Sequence, residues 1–377
     1  MLVHGVFRRP EDEQTALCSR FSVHPLLEPN LVRESWVEIL PREIEDSKME
    51  TLLLNKNEVG TLIDLDALLA AVEDGYRSFN SGLVVQPDFM AVTLPGSHKG
   101  IDFKGGLDAS SGYITLKSSS GGYDNNPKYG LPTGMNTVLL FEGKTSALTC
   151  IMDGTWITGC RTGAAGAISV KYLARADAEK LCVIGAGNQA RRQLHAIMRV
   201  RRLTEVRVWD ALPEFLNAYV TEMSEHTGLK IRKCATAEEA VRGADIVATT
   251  TRGRSGPIVK KEWIQPGTHI AAIGADMPGK QELYADVFTG AKVVNDSIGL
   301  CVNNGETQNA VRAGIIRPED IYAEIGEIIL GKKPGRESPD EVTIFDTVGM
   351  SIQDNVMAVM LYKGALEKGF GTRYAFF

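Results

Sequence analysis

The first part of the chain alternates short apolar stretches with turn-forming residues. Residues 49–55 predict a β-strand, and residues 62–79 carry apolar side chains at helical spacing, which predicts an amphipathic helix. Further apolar stretches follow, each bounded by Gly, Pro or Asn, and each predicts a strand. They lie at 89–95, 112–118, 136–142 and 145–153. This pattern is typical of a β-rich unit.

From about residue 175 the pattern becomes an alternation of strands and helices. Apolar strand-like stretches and helical stretches follow one another from residue 181 to residue 296. Such alternation is typical of a parallel sheet with helices on both faces. We therefore predict an α/β fold built on a Rossmann-type, doubly wound parallel sheet beside the β-rich unit. Beyond about residue 320 the pattern predicts a helix at 321–331, then a strand, a glycine turn and a long helix within 342–366.

Composition and charge exclude several classes of function. The chain has 377 residues, a formal net charge of -6 and no apolar run near the roughly 20 residues of a membrane helix. Neither nucleic acid nor a membrane is therefore an expected partner. The six cysteines and six histidines are scattered without metal-ligand spacing, so no metal site is predicted. Scattered cysteines and the lack of a signal-peptide pattern predict a cytoplasmic protein with reduced thiols.

A glycine-rich turn carries a dinucleotide-binding signal. Gly185, Gly187 and Ala190 form a GxGxxA pattern that follows an apolar strand and opens a helix, and Asp210 ends the next strand. The glycines let the backbone approach a pyrophosphate at the helix N-terminus, and the acid can bind a ribose 2′-hydroxyl. The alternative is a tight structural turn followed by a surface aspartate. The residues predicted to bind the cofactor here are Gly185, Gly187, Asn188, Gln189, Asp210, Thr250 and Thr251.

Asp210 also bears on the choice of cofactor. Its carboxylate would repel a 2′-phosphate, which favours NAD(H) over NADP(H). Arg191 and Arg192 lie in the following helix, and their positive charge weakens this preference. Thr250 and Thr251 end a later strand and are suited to lie beside the nicotinamide-side ribose, although a purely structural strand end is an equal alternative.

Four separated motifs resemble the ornithine cyclodeaminase/μ-crystallin family. They are CRTGAAGAISVKYLAR at 160–175, VIGAGNQA at 183–190, GADMPGKQEL at 274–283 and TIFDTVGMSIQD at 343–354. The resemblance runs from about Met49 to the C-terminus. Members of this family include archaeal-type alanine dehydrogenase, bacterial iminosuccinate reductase, other imine reductases and cyclodeaminases. They bind NAD(P), and most are dimers built through the β-rich domain.

The resemblance implies a domain arrangement. Residues 49–174 together with 322–377 would form a β-rich domain for substrate binding and dimerisation, and residues 175–321 would form the NAD-binding Rossmann domain. Residues 1–48 have no clear period and are interpreted as an N-terminal extension. The active site would then lie in the cleft between the two domains.

The resemblance also implies catalytic roles. Arg161 resembles the arginine that binds the α-carboxylate of the substrate, for which a guanidinium offers bidentate donors. Lys117 resembles the lysine that faces the substrate as a general acid or base, and Asp276 resembles the carboxylate above the nicotinamide. The alternatives are a solvent-facing arginine, an exposed strand-end lysine and an aspartate that caps a helix.

Lys104 distinguishes between members of the family. The corresponding position holds glutamate in ornithine cyclodeaminases and arginine in alanine dehydrogenases, and the FKGG stretch around Lys104 resembles iminosuccinate reductase. A cation here would repel a second ammonium group, so it favours a substrate with a second anionic group or a simple 2-imino acid; a solvated strand lysine is the alternative. Met90 stands about where iminosuccinate reductases carry another arginine, which leaves room for an apolar substrate side chain. Thr133, Val348 and Gly349 resemble further contacts to the substrate and the nicotinamide.

We therefore predict an NAD(H)-dependent imine reductase, or amino-acid dehydrogenase in the reverse direction, that acts on a small 2-imino acid formed from a 2-oxo acid and ammonia or an amine. A cytoplasmic homodimer is expected. One alternative is a cyclodeaminase that recycles its NAD within a turnover, which Lys104 disfavours. Another is a nucleotide-dependent binding protein like μ-crystallin, which would not need Lys117 and Asp276 as a proton-transfer pair.

Overall fold

Two eight-stranded sheets organise residues 50–376, which the computed structural model describes. Residues 1–49 and 377 lie outside the described residues, and so does the predicted extension at 1–48. The strands are β1 (Glu50–Leu54), β2 (Val84–Val85), β3 (Met90–Thr93), β4 (Gly100–Asp108), β5 (Tyr113–Gly121), β6 (Asn136–Glu142), β7 (Leu148–Asp153), β8 (Lys180–Ile184), β9 (Glu205–Trp209), β10 (Ile231–Lys233), β11 (Ile246–Thr249), β12 (His269–Ala272), β13 (Lys292–Asn295), β14 (Ala323–Glu324), β15 (Thr343–Asp346) and β16 (Thr372–Ala375). The helices are α1 (Lys56–Leu62), α2 (Leu65–Asn80), α3 (Thr155–Leu173), α4 (Asn188–Val200), α5 (Pro213–Thr227), α6 (Ala237–Val241), α7 (Ile298–Asn304), α8 (Thr307–Arg312), α9 (Ile325–Ile329) and α10 (Ser351–Lys368).

The first sheet is mixed. Its strand order is β16-β1-β7-β6-β5-β4-β2, and β3 also pairs with β4. The pairs are antiparallel except for β1 with β7. The C-terminal helix α10 packs against β4 and β5 of this sheet and against α2. The two ends of the described chain therefore share one apolar core, as the predicted pairing of N-terminal and C-terminal segments requires.

The second sheet is entirely parallel. Its order is β10-β9-β8-β11-β12-β15-β13-β14. Apolar clusters cover both of its faces, and this burial explains why its central strands are continuously apolar instead of alternating. The predicted α/β class with a Rossmann-type parallel sheet is confirmed. In such sheets, ligands bind beyond the carboxyl ends of the strands.

The parallel sheet extends beyond the predicted domain boundary at residue 321. Strands β14 and β15 pair with β13, and β15 also pairs with β12, so both belong to the parallel sheet. The sequence-based division placed them in the β-rich domain, and the structure corrects this point. The physical reason is that all residues of β15 are buried, which fits a central parallel strand covered on both faces.

Helix α3 lies between the two sheets. It contacts β6 of the mixed sheet and β12 and β15 of the parallel sheet. Most of its residues are buried, as expected for a helix without a solvent-facing side. Small residues let helix α4 approach closely, because a Cβ added at Gly163 would lie 2.7 Å from the carbonyl oxygen of Arg192. Within residues 50–376, no helix is long and apolar enough to cross a membrane.

Candidate active site

A single cleft of about 570 Å³ brings the predicted substrate and catalytic residues together. The mixed sheet and α3 provide one wall, and loops that follow β11 and β12 of the parallel sheet provide the other. The lining includes Lys104, Lys117, Thr133, Arg161, Asp276 and Val348. These residues come from widely separated stretches of the chain. Their functional roles stay predictions, but their common location is a property of the fold.

Two lysines that line the cleft are neighbours on adjacent strands. Lys104 on β4 is the direct cross-strand partner of Lys117 on β5. Like charges placed opposite each other on one face destabilise a sheet unless other groups compensate them. Lys117 is only 2% exposed, so the predicted alternative of a solvated strand-end lysine does not describe its position.

A buried carboxylate compensates Lys117. The Nζ of Lys117 lies 2.9 Å from Oδ1 and 2.7 Å from Oδ2 of Asp354, near the start of α10. The Nε of Arg161 on α3 donates to the same Oδ1 at 3.1 Å. The Nη1 of Arg161 donates to the Oε1 of Gln353 at 2.7 Å. Arg161 is 5% exposed and held on one side by α10, so its guanidinium does not face solvent.

The burial of these groups changes their proton affinities. Burial lowers the pKa of Lys117 to about 7, although Asp354 acts in the opposite direction. Burial alone would raise the pKa of Asp354, but Lys117 and Arg161 outweigh it and keep that pKa below its usual value. Burial, reinforced by Arg161, also lowers the pKa of Lys104. Lys117 can therefore gain or lose a proton near neutral pH, as a general acid or base must.

Lys104 is held by the loop that follows β15. Its Nζ donates to the carbonyl oxygens of Val348 at 3.2 Å and Gly349 at 3.1 Å. The same loop is anchored by Asp296, whose Oδ2 accepts from the amide of Gly349 at 2.8 Å and the hydroxyl of Thr347 at 2.6 Å. Lys104 thus connects the mixed sheet to the loop at the carboxyl end of β15 in the parallel sheet.

Gly349 is required at its position for two reasons. Its φ of +83° lies in the left-handed region, which favours glycine. A Cβ there would also collide with the guanidinium of Arg161. The predicted contact residue Gly349 therefore packs directly against the predicted carboxylate-binding arginine.

Asp276 enters the cleft from the opposite wall. It follows β12 and its side chain is 48% exposed, in an ion pair with Lys280. Partial desolvation in the cleft would raise the pKa of Asp276, but Lys280 outweighs it, so the pKa lies below its usual value. A turn follows instead of a helix, so the alternative of a helix-capping aspartate does not apply. Thr133 lies on the exposed connection between β5 and β6 and faces the same cleft.

The glycine-rich turn fits a dinucleotide. Gly185 has a φ of +96°, and a Cβ there would lie 3.0 Å from the backbone of Thr250 and Thr251. A Cβ at Gly187 would meet no atom within 4 Å, so the backbone is open to a ligand there. Gly187 caps helix α4 without a side-chain hydrogen bond to the first amides of the helix. Such amides bind anions such as a pyrophosphate.

Contacts within the protein orient Asp210, Arg191 and Arg192. The carboxylate of Asp210 accepts from the amides of Ala186 at 2.7 Å and Leu212 at 2.8 Å, which fixes it beside the glycine-rich turn. The guanidinium of Arg191 pairs with Glu222 at 2.7 Å. The guanidinium of Arg192 lies over the ring of Trp156, 4.2 Å from its centroid. Arg191 also donates to the carbonyl oxygens of Ala186 at 2.8 Å and Gly187 at 3.0 Å, so each arginine already has a partner within the described part of the chain.

The remaining predicted cofactor residues differ in their surroundings. The hydroxyl of Thr250 donates to the carbonyl oxygens of Ile184 and Gly185, and these hydrogen bonds stabilise the glycine-rich turn. The amide of Thr251 donates to the buried Glu282. Asn188 is exposed at the first turn of α4, and the Oε1 of Gln189 has no hydrogen-bond partner within the described part of the chain. Their contacts to a cofactor stay predictions.

Several residues that line the cleft, or that hold its cations from behind, were not predicted from the sequence. Asp354 and Gln353 belong to a quoted motif but received no role, and Lys280, Arg252 and Arg254 were not considered. For Asp354 a signal existed. An acid among the apolar residues of a core-facing helix must be paired with a cation if it is buried. The partner itself could not be read from the sequence, because it lies more than two hundred residues away.

Comparison with known proteins identifies the family of the chain. The model of the ornithine cyclodeaminase/mu-crystallin family matches residues 49–369. The chain belongs to this family.

Three solved structures are similar over most of the chain. One is an archaeal alanine dehydrogenase, solved as a dimer with bound NAD (40% identity, 87% of this chain and 100% of that one, TM-score 0.82). Another is the Δ1-pyrroline-2-carboxylate reductase of Thermococcus litoralis with NADH and L-proline (34%, 85% and 99%, TM-score 0.82). The third is the iminosuccinate reductase of Paracoccus denitrificans with NAD+ (31%, 86% and 99%, TM-score 0.81).

Proposed function

We propose that the protein is an NAD(H)-dependent reductase of small 2-imino acids, and an amino-acid dehydrogenase in the reverse direction. The observation that carries this proposal is that Arg161, Lys117 and Asp276 share one cleft. Arg252 also lines this cleft, and the preceding residues Thr250 and Thr251 pack against Gly185 of the glycine-rich turn. The three similar structures support the proposal, because each is named for chemistry at the carbon–nitrogen bond of an amino or imino acid.

The chain's own residues can bind and protonate such a substrate. Arg161 uses Nε and Nη1 for Asp354 and Gln353, and its remaining donors can bind the α-carboxylate. Lys117 can hold the same carboxylate and transfer a proton, since its pKa of about 7 suits both states. Asp276 remains ionised and can stabilise the positive charge of a protonated imine. When bound, NADH supplies the hydride that the substrate carbon accepts.

The preferred cofactor is NAD(H). Asp210 is fixed beside the glycine-rich turn, where its charge opposes a 2′-phosphate. Arg191 and Arg192, which could have reversed this preference, are held by Glu222 and Trp156.

The substrate is a small imino acid without a second cationic group. Lys104 lines the cleft and would repel the distal ammonium of ornithine or lysine, which disfavours a cyclodeaminase. Lys104 donates two of its protons to backbone carbonyls, which reduces what it can offer a distal carboxylate. Met90 is 58% exposed on β3 and brings no charge to this region. These features favour an alanine-like substrate over iminosuccinate.

A cytoplasmic homodimer is proposed as the working form. The outer strands of the mixed sheet expose large apolar side chains, as protein–protein interfaces do. They include Val85, Met90, Val92, Leu94 and Ile101. The similar alanine dehydrogenase was solved as a dimer. The cysteines of the described residues are all free and buried, which suits a reducing compartment.

The test is NADH oxidation by the purified full-length chain. Pyruvate, glyoxylate, oxaloacetate and branched 2-oxo acids would each be supplied with ammonia, with methylamine and without an amine. We expect oxidation that depends on the amine and is strongest with a small apolar acid. Lys117→Met should abolish it, and the matched exposed variant Lys144→Met should not. NADH binding without oxidation would favour a binding protein, and ammonia release from ornithine without net NADH would favour a cyclodeaminase; either would overturn the proposal.

A further inference from the structure

Asp354 is a buried acid that touches two predicted site residues without lining the cleft. It is 1% exposed, and the residues that line the cleft do not include it. Its carboxylate contacts the Nζ of Lys117 and the Nε of Arg161. We propose that Asp354 is a positioning residue, which fixes the ammonium of Lys117 and the guanidinium of Arg161 relative to each other and keeps Lys117 protonated for the reduction. This inference rests on the proposed function.

Asp354 is the shared counterion of Lys117 and Arg161. Within residues 50–376, no other carboxylate forms a hydrogen bond with Lys117 or with Arg161. These two cations come from different elements, β5 and α3, and would repel each other without an acid between them. The carboxylate lies in the first turns of the 18-residue helix α10, where the helix dipole also stabilises a negative charge.

The other charged groups around Lys117 do not replace Asp354. Arg161 and Lys104 are cations and oppose protonation of Lys117. Asp102 on β4 is half-buried, and burial raises its pKa above the usual value. Asp276 lies on the opposite wall of the cleft and is paired with Lys280. Removal of the negative charge of Asp354 should therefore make Lys117 lose its proton at a lower pH.

The neutral variant Asp354→Asn tests this inference through its pH profile. The quantity of interest is the ratio of kcat/KM between variant and wild type, measured for NADH-dependent reduction from pH 5.5 to 9. The ionisation of the imine and of ammonia cancels in this ratio. Weaker orientation of Arg161 lowers the ratio equally at every pH. Premature loss of the Lys117 proton makes the ratio fall as pH rises, by about tenfold for each unit by which the pKa of Lys117 decreases.

Two control variants separate positioning from a merely structural role. Asp245→Asn removes a buried carboxylate that pairs with the partly buried Arg175 at 2.6 Å, at the opposite end of β11. This variant should be less stable than the wild type, but the ratio of its kcat/KM to that of the wild type should not depend on pH. Asp354→Glu keeps the charge, so its ratio should also be independent of pH even if its activity is reduced.

The outcomes distinguish failure of this inference from failure of the proposed function. A ratio for Asp354→Asn that falls at least tenfold between pH 5.5 and 9, with flat ratios for both controls, is the expected result. A flat or rising ratio for Asp354→Asn would overturn the positioning role while leaving the reductase intact. If Asp354→Asn does not fold, the pH profile of Asp354→Glu becomes the test. A kcat/KM ratio of Asp354→Glu to wild type that falls as pH rises, despite the retained carboxylate, would contradict the inference. A wild type without amine-dependent NADH oxidation would instead reject the proposed function.

Discussion

Lys104 and Lys117 face each other across β4 and β5, and each is held by a different part of the C-terminal segment. Lys117 pairs with the carboxylate of Asp354, whereas Lys104 donates to the carbonyl oxygens of Val348 and Gly349. Two cations can therefore stand side by side in a buried wall of the cleft. Only one of them is neutralised by an acid in direct contact, so the cleft keeps a positive potential that attracts a carboxylate.

Reversal of the charge at Lys104 should impair reduction. Lys104→Glu would lose two hydrogen bonds to backbone carbonyls and place an acid where the substrate carboxylate enters. A charged hydrogen bond contributes about 1.5–3 kcal/mol, so we expect kcat/KM to fall by about 10- to 100-fold. Steady-state kinetics with the preferred 2-oxo acid and amine would measure this. Lys144→Glu makes the same charge change in an exposed turn and should retain activity. If kcat/KM were the same for both variants, Lys104 would not belong to the site.

A methyl group at Gly349 should damage the site more than it damages the fold. Gly349→Ala meets both an unfavourable φ and the guanidinium of Arg161. Gly369 is a matched control, because its φ is +69° and a Cβ there would meet no atom within 4 Å. Both variants should lose about 1 kcal/mol of stability from the backbone. Only Gly349→Ala should raise KM for the 2-oxo acid, by about tenfold or more if Arg161 is displaced. An unchanged KM would show that Arg161 does not bind the substrate.

Asp210 should determine the preference for NADH over NADPH. Asp210→Ser removes the charge that opposes a 2′-phosphate and the acceptor that would bind a ribose hydroxyl. We expect the Kd for NADH to rise by about tenfold, as for the loss of one charged hydrogen bond. The Kd for NADPH should rise less or fall. Titration of both nucleotides by fluorescence would test this, with Glu205→Ser at the start of β9, the strand that precedes Asp210, as control. If the preference for NADH over NADPH did not change, the ribose would not lie beside Asp210.

His269 should make the fold less stable in acid. It is fully buried between Ser169 and Thr343, and burial, reinforced by Arg336, lowers its pKa from 6.5 to about 3. Between these values the unfolded chain binds the proton more readily, so the stability contributed by neutral His269 is present above about pH 6.5 and is lost as pH falls. The loss approaches about 1.4 kcal/mol per pH unit.

A comparison with His269→Gln isolates this effect. The glutamine can form hydrogen bonds but does not titrate. Chemical denaturation at pH 7 and pH 5 should show the stability advantage of the wild type shrinking by about 2 kcal/mol on acidification. A constant difference between the two proteins would mean that His269 is not held neutral.

Local patterns were sufficient to predict the parallel sheet and the nucleotide turn. The strand–helix alternation and the glycines at Gly185 and Gly187 depend on residues close together in the chain, so the sequence displays them directly. The convergence of Lys117, Arg161 and Asp276 on one cleft was expected from the family resemblance and not from spacing. These three residues lie on a strand, a helix and a loop whose proximity only the tertiary fold creates.

Other features depended on contacts that no local pattern reveals. Strand β15 is four residues long and was placed in the β-rich domain, because a short apolar stretch does not show which strands it pairs with. The contact between Asp354 and Lys117 joins positions 237 apart in the chain. The use of Lys104 as a donor to two backbone carbonyls depends on the left-handed turn at Gly349, which only the folded chain displays.

The most direct test of the central claim is the transfer of deuterium from C4-deuterated NADH to the product. The wild type would be supplied with the preferred 2-oxo acid, its amine and NADH labelled on either face of the nicotinamide. We predict that the amino acid carries deuterium at Cα with one of the two labelled forms, as mass spectrometry and NMR would show. Unlabelled amino acid with both forms, or NADH that binds and is not consumed, would contradict hydride transfer to an imino acid in this cleft.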